Sequence, residues 1–204
     1  MNDKILIIAN GPSILKKNFG LEIDKFDEVA RINNFQIDGF HENIGTKTTI
    51  WFNGGNQNLI KPIFYPKKVV VFIPYEILIK KEDKVKKILP YRLGMNCNDF
   101  ILVKKQKMKE FENQSNIKRP TTGLSSILWA IENYKKVIIH GFDFFLTGKE
   151  HYYDSNIKKK IANLKIFGAA KKHNNIGERD FVRSLLKQNR LMELSDYINK
   201  RKNK

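Results

Sequence analysis

Apolar, β-branched runs punctuate the chain: KILIIA (4–9), DEVARI (27–32), TTIWF (48–52), KVVVFI (68–73), DFILV (99–103) and KKVIIHGF (135–142). Several are apolar at consecutive rather than alternate positions, as expected of strands covered on both faces. Helical periodicity lies between several of them. Residues 76–89 space Ile77, Ile79, Val85, Ile88 and Leu89 loosely at helical intervals, and 122–134 carries a clearer stripe of Leu124, Ile127, Leu128 and Ile131. Strands alternating with helices predict an α/β fold. The expected architecture is a single Rossmann-like domain over 1–198, a mostly parallel sheet flanked by helices, with a disordered basic tail at 199–204.

In such sheets ligands collect beyond the carboxyl ends of the strands. The residues there share one chemistry. The first run is followed by Asn10-Gly11-Pro12-Ser13, the second by Asn33-Asn34, the third by Asn53-Gly54-Gly55 and the last by Asp143. Ser13 stands where it could cap a following helix, and Thr121-Thr122-Gly123 opens another helix. Helix N-termini of this kind attract anions, yet neither a dinucleotide-type GxGxxG nor a P-loop is present. Asparagine is also an ordinary turn residue, so the inference rests on several of them at one edge.

Composition narrows the class. The chain has 204 residues and ordinary hydrophobic content, with no apolar run long enough to cross a bilayer. Cys97 is its only cysteine, so an internal disulfide is impossible and a reducing, cytoplasmic setting is expected. The formal net charge of +17 suits nucleic acid, an anionic membrane or anionic substrates. A coding bias toward Lys, Asn and Ile would give the same charge without function, so charge alone decides nothing. No motif argues for a metal. Of four histidines, His140 lies in an apolar strand and reads as core, His41 as a plain loop residue, while His151 and His173 stand in polar segments. Neutral imidazole is the natural general base near neutral pH.

Together these segments resemble the sialyltransferases, both the animal-type enzymes of glycosyltransferase family 29 and the small bacterial ones of family 42. Residues 5–53, ILIIANGPSIL through VARINNF to NIGTKTTIWFN, resemble the long sialylmotif, and RPTTGLSSILWAIENYKKVIIHGFDFF (119–145) the short one. HYYD (151–154) is similar to the third motif, and His173 with Glu178 to the His-x4-Glu of the very short motif. The resemblance implies a variant of the GT-A fold and a CMP-sugar donor. It places the donor phosphate at Asn10, Gly11 and Ser13, and lines the nucleotide-sugar pocket with Asn33 and Asn53. Thr121, Thr122 and Gly123 fall on the segment that contacts the donor's phosphate or carboxylate. His173 falls on the catalytic base and His151 on the group supporting the departing phosphate. Family 29 pairs two cysteines where Ile5 and Tyr134 stand here, so that disulfide is absent and a bacterial, cytosolic enzyme is indicated. Phe145 replaces a phosphate-contacting tyrosine of family 42, a role that then passes to Tyr152 or Tyr153. The stretch between Asn53 and Arg119 matches nothing firmly.

The implied reaction is a metal-independent, inverting transfer of sialic acid or a related acidic sugar to a glycan hydroxyl, in surface lipooligosaccharide or capsule synthesis. No cofactor is expected. A transferase of CMP-linked Kdo would read alike; a basic nucleic-acid-binding protein fits the charge but shows no recognition motif, and nucleic acid is not expected as a partner. A nucleotide-binding protein without catalysis is a further alternative. The C-terminal stretch 178–204 is expected to meet a lipid acceptor, at the inner membrane face, through a stripe of Phe181, Val182, Leu185 and Leu186 flanked by Arg179, Arg183, Lys187 and Arg190. Packing of that stripe on the sheet is the competing expectation.

Overall fold

Each apolar run yields a strand in the computed structural model, which describes residues 2–144, 151–153 and 174–203. These strands are β1 (Asn2–Ile8), β2 (Val29–Ile32), β3 (Ile50–Asn53), β4 (Lys68–Val71), β5 (Ile101–Leu102) and β6 (Tyr134–His140). With β7 (Met192–Glu193) they form one seven-stranded sheet in the order β5-β4-β3-β2-β1-β6-β7. Every pairing is parallel, so all carboxyl ends share one edge. The chain starts mid-sheet, extends outward through β5, then returns to build β6 and β7 on the far side of β1. That reversal makes the carboxyl ends of β1 and β6 the switch point at which open parallel sheets bind ligands.

The helices are α1 (Gly20–Asp24), α2 (His41–Ile44), α3 (Tyr75–Leu93), α4 (Lys105–Ser115), α5 (Thr122–Asn133), α6 (Asn175–Lys187) and α7 (Leu194–Lys202), with a 3-10 helix at Pro12–Lys16. β1 shows why both faces are covered. Successive side chains alternate in direction. Ile5 and Ile7 join the main core with Leu124 of α5 and Val182 and Leu185 of α6. Leu6 and Ile8 join a second core with Ile23 of α1 and with Leu194 and Ile198 of α7. Each such side chain contributes about 1.5–3 kcal/mol by leaving water. Ile5 and Tyr134 are both fully packed in the main core.

Several local expectations change. α3 runs longer than 76–89, is kinked at Lys81 (φ −147°, ψ 31°), and ends at Gly94 in the left-handed region (φ 66°). α4 carries only Met108 and Phe111 as buried apolar residues, too sparse a stripe to announce itself. The apolar stripe of α6 is not available to lipid, because Val182 and Leu185 are buried in the main core, with Phe181 and Leu186 packed against it. Residues 199–202, expected in a disordered tail, continue α7 as helix. That helix is held by Leu194, Tyr197 and Ile198, and its basic last turn complements the helix dipole. Among the described residues no helix is long and apolar enough to cross a membrane.

Candidate active site

The turn after β1 does hold a negative group, and it belongs to the protein. The backbone N–H of Ser13 donates to Asp143 Oδ2 (2.8 Å) and its hydroxyl to Oδ1 (2.5 Å). Gly11 N–H donates to the carbonyl of Gly141 at 2.9 Å, and Pro12 has no N–H. A Cβ on Gly11 would lie 2.5 Å from both Asp143 Cγ and Gly141 O, so only glycine allows this approach. The expected phosphate contacts of Gly11 and Ser13 are therefore taken up by the loop after β6. Ser13 does not cap the 3-10 helix either: Gly11 is its N-cap, followed by Pro12.

A second carboxylate repeats the arrangement at α5. Thr121 N–H donates to Glu178 Oε1 (2.7 Å) and its hydroxyl to Oε2 (2.5 Å), while Thr121 Oγ1 accepts from Leu124 N–H (3.2 Å). Thr121 thus caps α5 and anchors α6, and its polar groups are not free for a ligand. Glu178 is buried, which pushes its carboxyl above the ordinary glutamate range against the pull of the two Thr121 hydrogen bonds. The next two N–H groups of α5, on Thr122 and Gly123, have no acceptor among the described residues. They form the open, electropositive start of a twelve-residue helix.

Asparagines knit the neighbouring turns together. Asn10 Nδ2 donates to the carbonyls of Ile32 and Asn34, both at 2.9 Å, tying the β1 turn to the β2 turn. Asn33 adopts the left-handed conformation (φ 51°) and its Oδ1 accepts from Gly54 N–H at 3.0 Å, tying β2 to β3. Asn53 Oδ1 accepts from Gly55 N–H at 3.0 Å, but its Nδ2 is buried without an acceptor among the described residues. A Cβ on Gly54 would sit 2.8 Å from Thr122 Oγ1, so the β3 turn abuts the start of α5. Among the described residues, donors at this edge without an acceptor include the Asn53 and Asn33 side-chain amides and the Thr122 and Gly123 N–H groups. A phosphate or carboxylate is the complement of such a set.

Residues 151–153 close the same edge. Tyr152 N–H donates to Asn10 O at 2.9 Å. The Tyr152 hydroxyl accepts from Gln36 N–H (2.9 Å) and donates to Gln36 O (2.5 Å), and its ring packs edge-on to Phe40. Tyr152 therefore acts as a clamp between segments, not as the expected phosphate contact. Tyr153 donates to Asn34 O at 2.9 Å and stacks on the half-buried His151 (5.3 Å between ring centres). His173 and Phe145 lie outside the described residues. Asn174, which follows His173 in the chain, caps α6 by accepting from Gly177 N–H at 2.9 Å.

Sequence reasoning missed Arg31, which is 1% exposed within β2. Its Nη2 donates to the carbonyls of Ile44, Gly45 and Lys47 and its Nε to Thr48 Oγ1, while Nη1 has no acceptor among the described residues. Burial lowers its pKa to about 10, so it remains a cation beneath the β2 turn. A lone arginine inside an apolar run was the available signal. His140, read as core, is indeed buried, which pushes its pKa down to about 4 and leaves it neutral.

Three comparisons bear on this arrangement. CMP-N-acetylneuraminate-beta-1,4-galactoside alpha-2,3-sialyltransferase from Homo sapiens is 23% identical over 96% of this chain and 58% of its own length. Type 2 lactosamine alpha-2,3-sialyltransferase from Rattus norvegicus is 23% identical over 94% of this chain and 64% of its own. This chain thus spans about three-fifths of the curated relatives it matches. A crystal structure of a mammalian sialyltransferase in complex with Gal-beta-1-3GalNAc-ortho-nitrophenol shares the fold with a TM-score of 0.69 at 17% identity, covering 95% of this chain and 69% of that one. The model of glycosyltransferase family 29 (sialyltransferase) matches residues 4–56 and 65–190, which include the asparagine turns, the start of α5, His151, His173 and Glu178. The chain belongs to glycosyltransferase family 29, the sialyltransferases.

Proposed function

We propose that this chain transfers sialic acid from CMP-sialic acid to a galactoside hydroxyl, with inversion and without a metal. One observation carries the reading: in a chain of this family, the Thr122 and Gly123 N–H groups at the start of α5, without an acceptor among the described residues, abut the β3 turn that follows the buried Asn53 amide. Such donors stabilise negative charge through fixed dipoles, the demand made by a departing CMP phosphate. His173 takes the acceptor proton, and α6, held to α5 by Glu178, sets the chain just after it. His151 supports the leaving phosphate. The proposal includes a reducing cytoplasm, supported by Cys97 as the sole cysteine, and an acceptor in a surface glycan.

Hydrolysis of a panel of CMP-sugars, in EDTA and then with added Mn²⁺, tests the reading without knowledge of the acceptor. CMP-sialic acid should be cleaved fastest and EDTA should leave the rate unchanged; preference for CMP-Kdo, or dependence on Mn²⁺, refutes it. With an acceptor, His173→Ala should retain CMP binding while turnover falls at least ~10²-fold. His151→Ala should weaken CMP binding as well, and should recover part of its rate with a better leaving group.

A further inference from the structure

The family match leaves out residues 57–64, and that segment carries the most exposed apolar side chains of the described molecule. Ile63 is 91% exposed and Phe64 89%, with Ile60 at 68%. Tyr91, 82% exposed on α3, continues the surface, because Lys61 Nζ lies 5.7 Å from its ring centre. Tyr91 also borders two shallow grooves, one lined with Tyr65 and Met95 and the other with Lys84, Lys87 and Ile88. Lys61, Lys84 and Lys87 have no carboxylate partner among the described residues, and Asp99, in the first groove, is engaged by Asn96. The result is an apolar tip set in unpaired lysines.

The tip is also held against the candidate active site. Asn34, next to Asn33, donates through Nδ2 to Asn58 O (2.9 Å) and accepts through Oδ1 from Ile60 N–H (2.8 Å). Arg92 donates to the carbonyl of Gly55 at 2.7 Å, and Tyr65 to that of Leu93 at 2.5 Å. The segment is thereby anchored at both ends while Ile63 and Phe64 face solvent.

We infer that this surface docks on an anionic membrane, with Ile63 and Phe64 entering the interface and Lys61, Lys84 and Lys87 facing the headgroups. Charge selects this occupant: a protein partner would have to neutralise the lysines with its own carboxylates, whereas an anionic bilayer supplies both an apolar layer and a continuous negative surface. Docking itself does not depend on the donor chemistry. That it presents the site mouth to a lipid-linked acceptor rests on the sialyltransferase reading.

The test is co-sedimentation with mixed phosphatidylglycerol–phosphatidylcholine vesicles, against pure phosphatidylcholine. The protein should pellet with the mixed vesicles, and added salt should weaken the effect. The double variant Ile63→Ser, Phe64→Ser should bind at least about tenfold more weakly, with CMP affinity and circular dichroism unchanged. Lys84→Glu with Lys87→Glu should weaken binding and flatten its salt dependence, and Phe64→Trp should shift its emission to the blue on mixed vesicles. Failure to pellet, equal binding by the serine variant, or an unshifted tryptophan overturns the proposal. So does a dimer in sedimentation equilibrium that the serine variant dissolves, or retention on a single-stranded oligonucleotide without vesicle binding. Vesicle binding by a protein that ignores CMP would keep the docking surface and refute only the donor reading.

Discussion

Two asparagines of the same edge do different work. Asn10 spends both amide hydrogens on the carbonyls of Ile32 and Asn34, so Asn10→Ala should cost ~1–3 kcal/mol of stability, read as a lower Tm. Asn53 keeps a buried donor without an acceptor among the described residues, so Asn53→Ala should weaken CMP binding about tenfold by titration calorimetry, in addition to the Tm lost with its Gly55 N–H contact. Equal CMP affinity in wild type and Asn53→Ala would remove that residue from the pocket. Two titrations also oppose each other near β6. Glu193 is pushed up to about 7 by burial, then by Asp196 and Asp143, from 4.5. Between those values the native state binds more protons, so its contribution to stability is lost as pH rises. His140 is pushed down to about 4 from 6.5 by burial; there the unfolded state binds more protons, and stability is lost as pH falls. The slopes offset between about pH 4.5 and 6.5. Glu193→Gln should leave stability rising with pH across that window, measured by urea unfolding; a flat profile would refute the pairing.

At the scale of elements, α6 is a core helix that also braces the site. Leu185→Ala should cost ~2–5 kcal/mol, because the side chain is 2% exposed in the main core. Glu178→Ala acts differently: it strips the acceptor from Thr121 N–H and hydroxyl, so it should lower Tm and also slow turnover in a way Leu185→Ala at a matched temperature margin does not. Matched rates for the two variants would make Glu178 a mere packing residue. Apolar runs such as KVVVFI announced their strands because both faces of the sheet are covered, and α5 was legible from Leu124, Ile127 and Leu128. The asparagine edge was legible too, since parallel strands put all their exits together. Spans hid the rest. Ser13 and Asp143 meet across 130 residues and Thr121 and Glu178 across 57, so no local pattern shows that these donors already have acceptors. β7 is two residues long with no apolar run of its own, and only its pairing to Ile138 and Ile139 makes it a strand.

On the scale of the whole molecule, a basic surface surrounds a sheet whose founding strand sits in the middle. β1 pairs with β2 on one side and, from Asn2 to Ile8, with β6 on the other. During synthesis β1 therefore emerges well before β6, and one of its flanks stays unpaired until residues 134–140 have left the ribosome. An unprotected apolar edge of that kind recruits other chains, and pairing across such a separation is slow. A fragment ending at residue 133 should accordingly be insoluble where the full chain is not, checked by fractionation after expression. Recovery of that fragment as a soluble monomer would show that the first 133 residues close their own edge. The position of one strand thus makes the interval between two moments of translation the period in which this protein most needs a chaperone.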